Sequence, residues 1–216
     1  MIDTLLFDMD GLLVDSEPYW KIAEKKVFGA LGLKLDDELL RQVMGFRLSE
    51  VVQYWYRYQP WPNPNFEQTE LDIMDCMEEF MRENAKPLPG VMNTLHLAKE
   101  KGFKMALASS SSMRLIKAVV ETLHIEMYFS VLCSAEFEPY GKPHPAIFIT
   151  AAEKLGSNPQ NCLVLEDSVN GVIAAKAARM LCLAVPEAEK FDDPRFSIAD
   201  FKAKTLEEFP EILNKL

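Results

Sequence analysis

The chain alternates between short apolar runs and longer amphipathic stretches over most of its length. Five apolar runs of strand length predict buried β-strands, over residues 2–7, 103–108, 129–133, 162–165 and 181–185. Helical apolar spacing is found between the later runs, over residues 112–123, 145–155 and 169–178, and another helical stretch ends at Gly102. Strands and helices that alternate in this way pack as a parallel sheet between helical layers. We therefore expect a Rossmann-like, three-layer α/β core with a mainly parallel sheet of about five strands.

Residues 16–85 break this alternation. They contain only seven Val, Ile or Thr residues, which strands favour, and their apolar residues recur at helical spacing. The apolar faces comprise Trp20, Ala23, Val27 and Ala30; Leu39, Leu40, Val43 and Met44; Val51, Val52, Trp55 and Tyr56; and Met74, Met77 and Met81. Asp36 and Asn65 precede two of these helices as N-cap residues. We expect an α/β core of residues 1–15 and 86–216, interrupted after its first strand by an all-helical cap of residues 16–85.

The charge balance narrows the range of partners. The 216 residues contain 23 Lys and Arg against 33 Asp and Glu, which gives a net charge of −10. A chain this acidic lacks the basic surface that nucleic acids need, and anionic lipid would repel it. Its apolar runs are too short to span a membrane, and its start lacks the basic residues of a signal peptide. Its four cysteines are too widely spaced for a zinc site or a dense disulfide framework. We expect a cytoplasmic protein that binds neither nucleic acid nor membranes, and we expect a monomer.

Polar side chains follow four of the five predicted strands, at the sheet edge where open parallel sheets bind ligands. They are Asp8 and Asp10, the serines 109–112, Lys142, and the pair Glu166 and Asp167. Carboxylates packed together without a cation or proton between them repel one another, and Mg²⁺ prefers oxygen ligands. The sequence therefore predicts a Mg²⁺ site made of Asp8, Asp10, Asp167 and Glu166. The alternative is that Asp8 and Asp10 only cap a turn, which Gly11 would make tight.

Lys142 and the serine run suggest an anion site beside these acids. Prolines directly after Lys142 stiffen its loop, so the ammonium group could face the carboxylates. The hydroxyl of Ser109 and the free N–H groups of the following helix start could bind an anion. A solvated lysine and a capping serine loop remain the alternatives. Together with a cation, these groups would form a local positive pocket in an acidic protein.

These motifs resemble those of the haloacid dehalogenase-like hydrolases. That family has D-x-D at its first strand, Ser or Thr at its second, a Lys before a later helix and an acidic pair at its fourth strand. Here the four motifs are Asp8-Met9-Asp10, Ser109, Lys142 and Glu166-Asp167, in the same order along nearly the whole chain. The helical insert resembles the first cap type of the family. Since the dehalogenases themselves lack an acid at position 10, Asp10 points to the phosphatases and phosphomutases.

The resemblance implies a role for each motif residue. Asp8 would attack phosphorus and form an aspartyl-phosphate, and Asp10 would act as general acid and then as general base. Mg²⁺ would be bound by Asp8, the backbone carbonyl of Asp10 and Asp167, with Glu166 close by. The phosphoryl group would be held by Ser109, Ser110 and Lys142.

Further stretches resemble bacterial sugar phosphatases that accept 2-deoxyglucose 6-phosphate and hexitol phosphates. They are residues 15–18, the loop Gly45-Phe46-Arg47, residues 51–61 and residues 193–196. We therefore expect a Mg²⁺-dependent hydrolase of small phosphorylated sugars, with Glu17, Trp20 and Arg47 as candidate sugar contacts. Cap packing or a solvated surface is the alternative for each of these three.

Three other classes of protein share some of these motifs or the helical insert. A β-phosphoglucomutase-type mutase would share the core and the cap, and Arg47 could bind the second phosphate that such an enzyme needs. A non-enzymatic metal-binding protein would be expected to lack Asp8 or Asp10, yet both are present. A phosphorylated receiver domain also uses an Asp and a Lys on an α/β sheet, but it has no reason for a 70-residue cap.

Overall fold

A computed structural model describes residues 1–43 and 46–215 of the protein and contains a six-stranded parallel sheet. The strands are β1 (Thr4–Phe7), β2 (Lys104–Ser109), β3 (Val131–Ser134), β4 (Cys162–Glu166), β5 (Leu181–Ala184) and β6 (Phe201–Lys202). Their order is β3-β2-β1-β4-β5-β6, and each neighbouring pair is parallel. The five predicted strands are confirmed. The sixth has two residues, which is too short to produce a periodic signal in the sequence.

The described residues form nine α-helices. They are α1 (Glu17–Ala30), α2 (Asp37–Leu40), α3 (Leu48–Tyr58), α4 (Phe66–Asn84), α5 (Val91–Glu100), α6 (Met113–Leu123), α7 (Ala146–Lys154), α8 (Val169–Ala177) and α9 (Phe209–Leu213). Asp36 and Asn65 are N-caps as predicted, since their side chains accept hydrogen bonds from Leu39 N (2.9 Å) and Gln68 N (3.1 Å). Met44 and Gly45, which the sequence analysis placed on a cap helix and in a cap loop, lie outside the described residues.

Alternate side chains of the central strand β1 point to opposite faces of the sheet. Leu5 and Phe7 pack in one apolar cluster, and Leu6 packs in a second. The first cluster includes Leu95 of α5 and Leu115 of α6, whereas the second includes residues of α7 and α8. The sheet is therefore covered by helices on both faces, which confirms the three-layer α/β core.

Helices α1 to α4 lie between β1 and β2 in the chain and form the helical insert. They pack on one another around buried Phe28, Trp55, Ile73 and Met77. Helix α4 also packs against α6 of the core, where Arg114 pairs with Asp75 at 2.7 Å. The insertion of a helical cap after the first strand is confirmed, whereas the exact domain limits at residues 15 and 86 remain a prediction.

Cys76, Cys133, Cys162 and Cys182 are all buried and form no disulfide with one another. Within the described part of the chain, every helix is too short or too polar to cross a membrane.

Candidate active site

Lys142, in the loop between β3 and α7, joins Asp8 at the end of β1 to Glu166 at the end of β4. Asp8 directly follows β1, and its N–H donates to Leu165 O of β4 at 3.0 Å. Lys142 Nζ donates to Asp8 Oδ1 and to Glu166 Oε1, both at 2.6 Å, and to Ala108 O at 3.2 Å. All three side chains are buried. Lys142 therefore faces the carboxylates, as the sequence analysis predicted, and is not a solvated surface residue.

Three carboxylates form a compact acidic cluster beside this lysine. Asp8, Glu166 and Asp167 each offer an oxygen, and these atoms lie within 4.8 Å of one another. Burial and the charges of Glu166 and Asp10 raise the pKa of Asp8 to about 8, against the opposing effect of Lys142. Burial, Glu166 and Asp8 likewise raise the pKa of Asp167 well above its usual range. One lysine thus leaves the cluster with unbalanced negative charge, so its oxygen donors fit a hard divalent cation.

Two glycines leave the space that these carboxylates occupy. Gly11 has a positive φ of 75°, and a Cβ atom there would overlap the carboxylate of Asp167. A Cβ atom at Gly171, in the first turn of α8, would overlap the carboxylate of Glu166. Glycine at both positions is therefore required for the acidic cluster to form.

Both oxygens of Glu166 already accept hydrogen bonds from the protein. Oε1 accepts from Lys142, and Oε2 accepts from the backbone N–H of Ser168 at 2.8 Å and from its hydroxyl at 3.0 Å. Glu166 therefore holds Lys142 and the β4–α8 connection together, while Asp8 and Asp167 retain oxygens for a cation. The Asp10 side chain is not a member of the compact acidic cluster.

The Asp10 carboxylate instead lies among hydroxyl and indole donors from the cap and the core. Ser16 (2.6 Å) and Trp20 (3.3 Å) donate to Oδ1, and Ser109 (3.2 Å) and Ser111 (2.7 Å) donate to Oδ2. Ser16 and Ser111 were not predicted as site residues, although both lie in stretches that carry the predicted motifs. Asp10 is therefore oriented from both sides of the interface between the cap and the core.

The predicted anion site is only partly free of internal contacts. Ser109 donates to Asp10 and accepts from Ser111 N at 3.0 Å. The start of α6 is also partly occupied, because Met113 N donates to Glu136 at 2.9 Å. The Ser110 hydroxyl, in contrast, is buried without a hydrogen-bond partner among the described residues, and it lines the cavity described next. Ser110 therefore keeps a free donor beside the acidic cluster.

A cavity of about 100 Å³ joins the acidic cluster to the cap. Its lining residues are Asp8, Asp10, Gly11, Ser16, Glu17, Trp20, Lys21, Glu24, Leu40, Phe46, Leu48, Val51, Ser109, Ser110, Ser111, Lys142, Glu166, Asp167, Ser168 and Glu187. The cap-side candidates Glu17 and Trp20 therefore lie beside the core motifs. The cavity is smaller than sites for drug-sized ligands, so it suits a small substrate.

Arg47, the third cap candidate, is directed toward the core backbone rather than into this cavity. Its guanidinium group pairs with Glu50 at 2.8 Å and donates to the carbonyl oxygens of Glu138 (3.0 Å) and Ala135 (3.5 Å). Its side chain also packs against Gly141, where an added Cβ atom would lie 2.9 Å from Arg47 Cγ. Arg47 therefore connects the cap to the loop that carries Lys142.

A sheet of this topology defines a class of hydrolases when Asp8 and an acidic pair lie at adjacent strand ends, Lys142 contacts both, and a helical cap covers them. The chain belongs to the haloacid dehalogenase-like hydrolases, whose family model matches residues 2–179. The resemblance seen in the four sequence motifs is thereby confirmed.

Several individual proteins are similar to this chain along nearly its whole length. The chain is 42% identical to hexitol phosphatase B of Escherichia coli K12 over 204 residues, which cover 94% of this chain and 92% of that protein. Its structure is similar to that of CbbY from Rhodobacter sphaeroides in complex with phosphate, with a TM-score of 0.86, 27% identity, and 97% and 96% of the two chains covered. β-Phosphoglucomutase from Clostridium difficile has the same fold, with a TM-score of 0.86, 24% identity, and 100% and 97% coverage.

Proposed function

We propose that this protein is a Mg²⁺-dependent phosphomonoesterase for small sugar phosphates of the hexitol phosphate or 2-deoxyglucose 6-phosphate type. The main support is the buried carboxylate of Asp8, which contacts Lys142 at 2.6 Å and lies within a cluster of acidic oxygens at the end of a cavity. The similarity to hexitol phosphatase B along nearly the whole chain supports the substrate class. A monomeric state and a cytoplasmic location remain predictions.

In the first step, an oxygen of Asp8 attacks phosphorus while the bond from phosphorus to the sugar oxygen breaks. Asp10 gives its proton to the departing sugar oxygen, so the sugar leaves as a neutral alcohol. Lys142 and the free hydroxyl of Ser110 stabilise the phosphoryl oxygens. The product of this step is a phosphoryl group bonded to Asp8.

In the second step, Asp10 removes a proton from a water molecule that attacks the same phosphorus atom. The bond from phosphorus to Asp8 breaks, inorganic phosphate leaves, and both carboxyl groups return to their starting states. The hydrogen bonds from Ser16, Trp20 and Ser111 keep Asp10 in position for both proton transfers.

The residues that would hold Mg²⁺ are Asp8 and Asp167, with the backbone carbonyl of Asp10 as the further ligand that the family resemblance implies. The bound ion would neutralise charge on the phosphoryl oxygens. Glu166 would act by fixing Lys142, because both of its oxygens already accept hydrogen bonds. The raised pKa values of Asp8 and Asp167 support the fit, since a cation at this point would favour their ionised forms.

A phosphosugar mutase is the alternative, and the charge of the cavity disfavours it. A mutase has to bind a bisphosphate, so it needs a cationic group on the cap for the second phosphate. The guanidinium of Arg47 is bound to Glu50 and to core carbonyl groups, and the cavity presents Glu17 of the cap and Glu187 of the core. Like charges within a few ångströms would weaken binding of a second dianion.

Phosphorus NMR of the reaction mixture distinguishes the two activities. We expect steady release of inorganic phosphate from D-sorbitol 6-phosphate or 2-deoxyglucose 6-phosphate, with Mg²⁺ required. We expect little conversion of β-glucose 1-phosphate to glucose 6-phosphate, even with a bisphosphate primer. Primer-dependent glucose 6-phosphate with negligible free phosphate would instead identify a mutase.

A further inference from the structure

Glu24 is a buried carboxylate in the cap wall of the cavity, outside the four family motifs. It follows Glu17 and Trp20 on helix α1 at spacings of seven and four residues, so all three side chains lie on one face of the helix, and all three line the cavity. Only 7% of Glu24 is exposed, and its Oε2 atom is buried without a hydrogen-bond partner among the described residues.

An unpartnered buried carboxylate is costly, so its presence requires an explanation. Burial, together with the charge of Glu17, raises the pKa of Glu24 to about 8, and the nearby indole N–H of Trp55 works against this rise. Neither Oε2 of Glu24 nor Nε1 of Trp55 has a hydrogen-bond partner among the described residues, so folding leaves both polar atoms unsatisfied. A ligand that enters the cavity and supplies hydrogen bonds would satisfy the Glu24 carboxyl group.

The charges around Glu24 indicate which ligand group fits. Glu17 of the cap and Glu187 of the core line the same cavity, and the adjacent cation Lys21 is paired with Glu17 at 3.3 Å. Because Lys21 is already paired, an anionic ligand group at this end would lack a free cationic partner among the described lining residues. Hydroxyl groups, in contrast, can donate hydrogen bonds to carboxyl oxygens without carrying charge.

The apolar side of the cavity fits the same kind of ligand. Leu40, Leu48 and Val51 line the cavity together with Glu24. A polyol chain has hydroxyl groups on carbons that also bear hydrogen atoms, so it can bond to the carboxyl group and contact these apolar side chains.

We propose that Glu24 is a specificity-determining residue that binds the hydroxyl groups of an uncharged polyol at the end of the substrate distant from the phosphate. This inference rests on the proposed phosphatase function and adds the chemistry by which the cap recognises its substrate. Glu24 has no part in the transfer of the phosphoryl group, which Asp8 and Asp10 carry out.

The test compares two substrates in two variants. D-Sorbitol 6-phosphate has the polyol, whereas para-nitrophenyl phosphate has the phosphate without any hydroxyl-bearing chain. For Glu24→Leu we expect kcat/KM for D-sorbitol 6-phosphate to fall about 10- to 100-fold, because a site that binds hydroxyl groups loses its hydrogen bonds. Hydrolysis of para-nitrophenyl phosphate should change less than about twofold, since the substrate makes no such bonds. Glu24→Gln, which keeps one acceptor oxygen, should lie between wild type and Glu24→Leu.

Controls separate substrate recognition from a structural role of Glu24 beside Trp55. The melting temperature of both variants should not fall, because neither leucine nor glutamine can carry a negative charge at this buried position. Glu79→Gln, on the exposed surface of α4, should match wild type with both substrates. If Glu24→Leu does not fold, Glu24→Gln carries the comparison.

The outcomes distinguish this inference from the proposed function. Equal loss with both substrates, or unchanged hydrolysis of D-sorbitol 6-phosphate by Glu24→Leu, would overturn the role of Glu24 while leaving a phosphatase. A wild-type enzyme that hydrolyses only para-nitrophenyl phosphate would contradict the polyol assignment. A wild-type enzyme that hydrolyses neither compound would remove the proposed function and this inference with it.

Discussion

The backbone of Gly171 lies directly against the carboxylate of Glu166, with no room for a side chain between them. Glu166 ends β4, and Gly171 lies in the first turn of α8, so the contact fixes how the helix leaves the sheet. The same carboxylate binds Lys142, which binds Asp8. A glycine that contacts no substrate therefore positions the lysine and the nucleophile of the proposed reaction.

Replacement of this glycine should damage the site and the fold together. In Gly171→Ala the added methyl group displaces Glu166, and we expect a loss of about 1–3 kcal/mol in the free energy of unfolding, as for other overpacked positions. Phosphatase activity should fall at least about tenfold as Lys142 loses its partner. Urea denaturation and phosphate release measure the two effects.

Gly29→Ala provides the matched control for this prediction. Gly29 is also in a helix, α1, but an added Cβ atom there has no neighbour within 4 Å. The substitution should leave activity unchanged and stabilise the helix by up to about 1 kcal/mol. Equal effects of the two substitutions would show that the contact with Glu166 is unimportant.

The acidic cluster predicts a specific response to metal. Chelation should abolish phosphate release and added Mg²⁺ should restore it, because Asp8 and Asp167 offer oxygen ligands at one point. Asp167→Asn should raise the Mg²⁺ dissociation constant at least about tenfold by titration calorimetry. It should not lower the melting temperature of the metal-free protein, since it relieves repulsion from Asp8 and Glu166. Full activity in excess chelator would exclude the metal from the reaction.

The contacts of Arg47 predict a structural connection between cap and core. Arg47→Ala removes the hydrogen bonds to Glu138 and Ala135, so we expect faster amide hydrogen exchange in residues 135–141. Saturating the wild-type protein with a substrate that carries a second phosphate should not slow hydrogen exchange in this loop, because Arg47 is not directed into the cavity. Such protection, lost in Arg47→Ala, would instead support the mutase.

Because Glu24 is buried, it should make the free energy of unfolding decrease as the pH rises. Its pKa is raised from 4.5 to about 8, so the unfolded chain releases the proton between these values while the folded protein retains it. The stabilising contribution is complete below about pH 4.5 and disappears as the pH rises to about 8. Relative to Glu24→Gln, wild type should lose about 2–4 kcal/mol of unfolding free energy between about pH 5.5 and pH 8. Parallel urea unfolding curves for the two proteins across this interval would contradict the buried state of Glu24.

The sequence contained enough information for the strands and for the residues that follow them. Buried strands such as residues 162–166 are marked by apolar runs, and a parallel sheet collects the residues at their ends at one edge. That rule alone predicts that Asp8 and Glu166 lie close together. The two-residue strand β6 has no such pattern, because its position depends on pairing with β5.

Side-chain directions in the cap could not be predicted in the same way. Arg47 contacts Glu138, which is 91 positions away in the chain, so its direction depends on how the cap packs on the core. Glu24 was not selected from the sequence, because a charged residue on a helix usually faces solvent. Its burial becomes evident only once α1 is packed against α4.

The central claim is that Asp8 carries the phosphoryl group during turnover. We propose rapid acid quenching of the enzyme during hydrolysis of D-sorbitol 6-phosphate, followed by borohydride reduction, which converts an aspartyl-phosphate to homoserine, and peptide mass spectrometry. The account predicts homoserine at position 8 in the wild type, and it predicts that Asp8→Asn folds normally but loses at least about 10⁴-fold in activity. Asp192→Asn, at an exposed position, should behave as wild type. Turnover at the wild-type rate by Asp8→Asn, or reduction at a residue other than Asp8, would contradict the account.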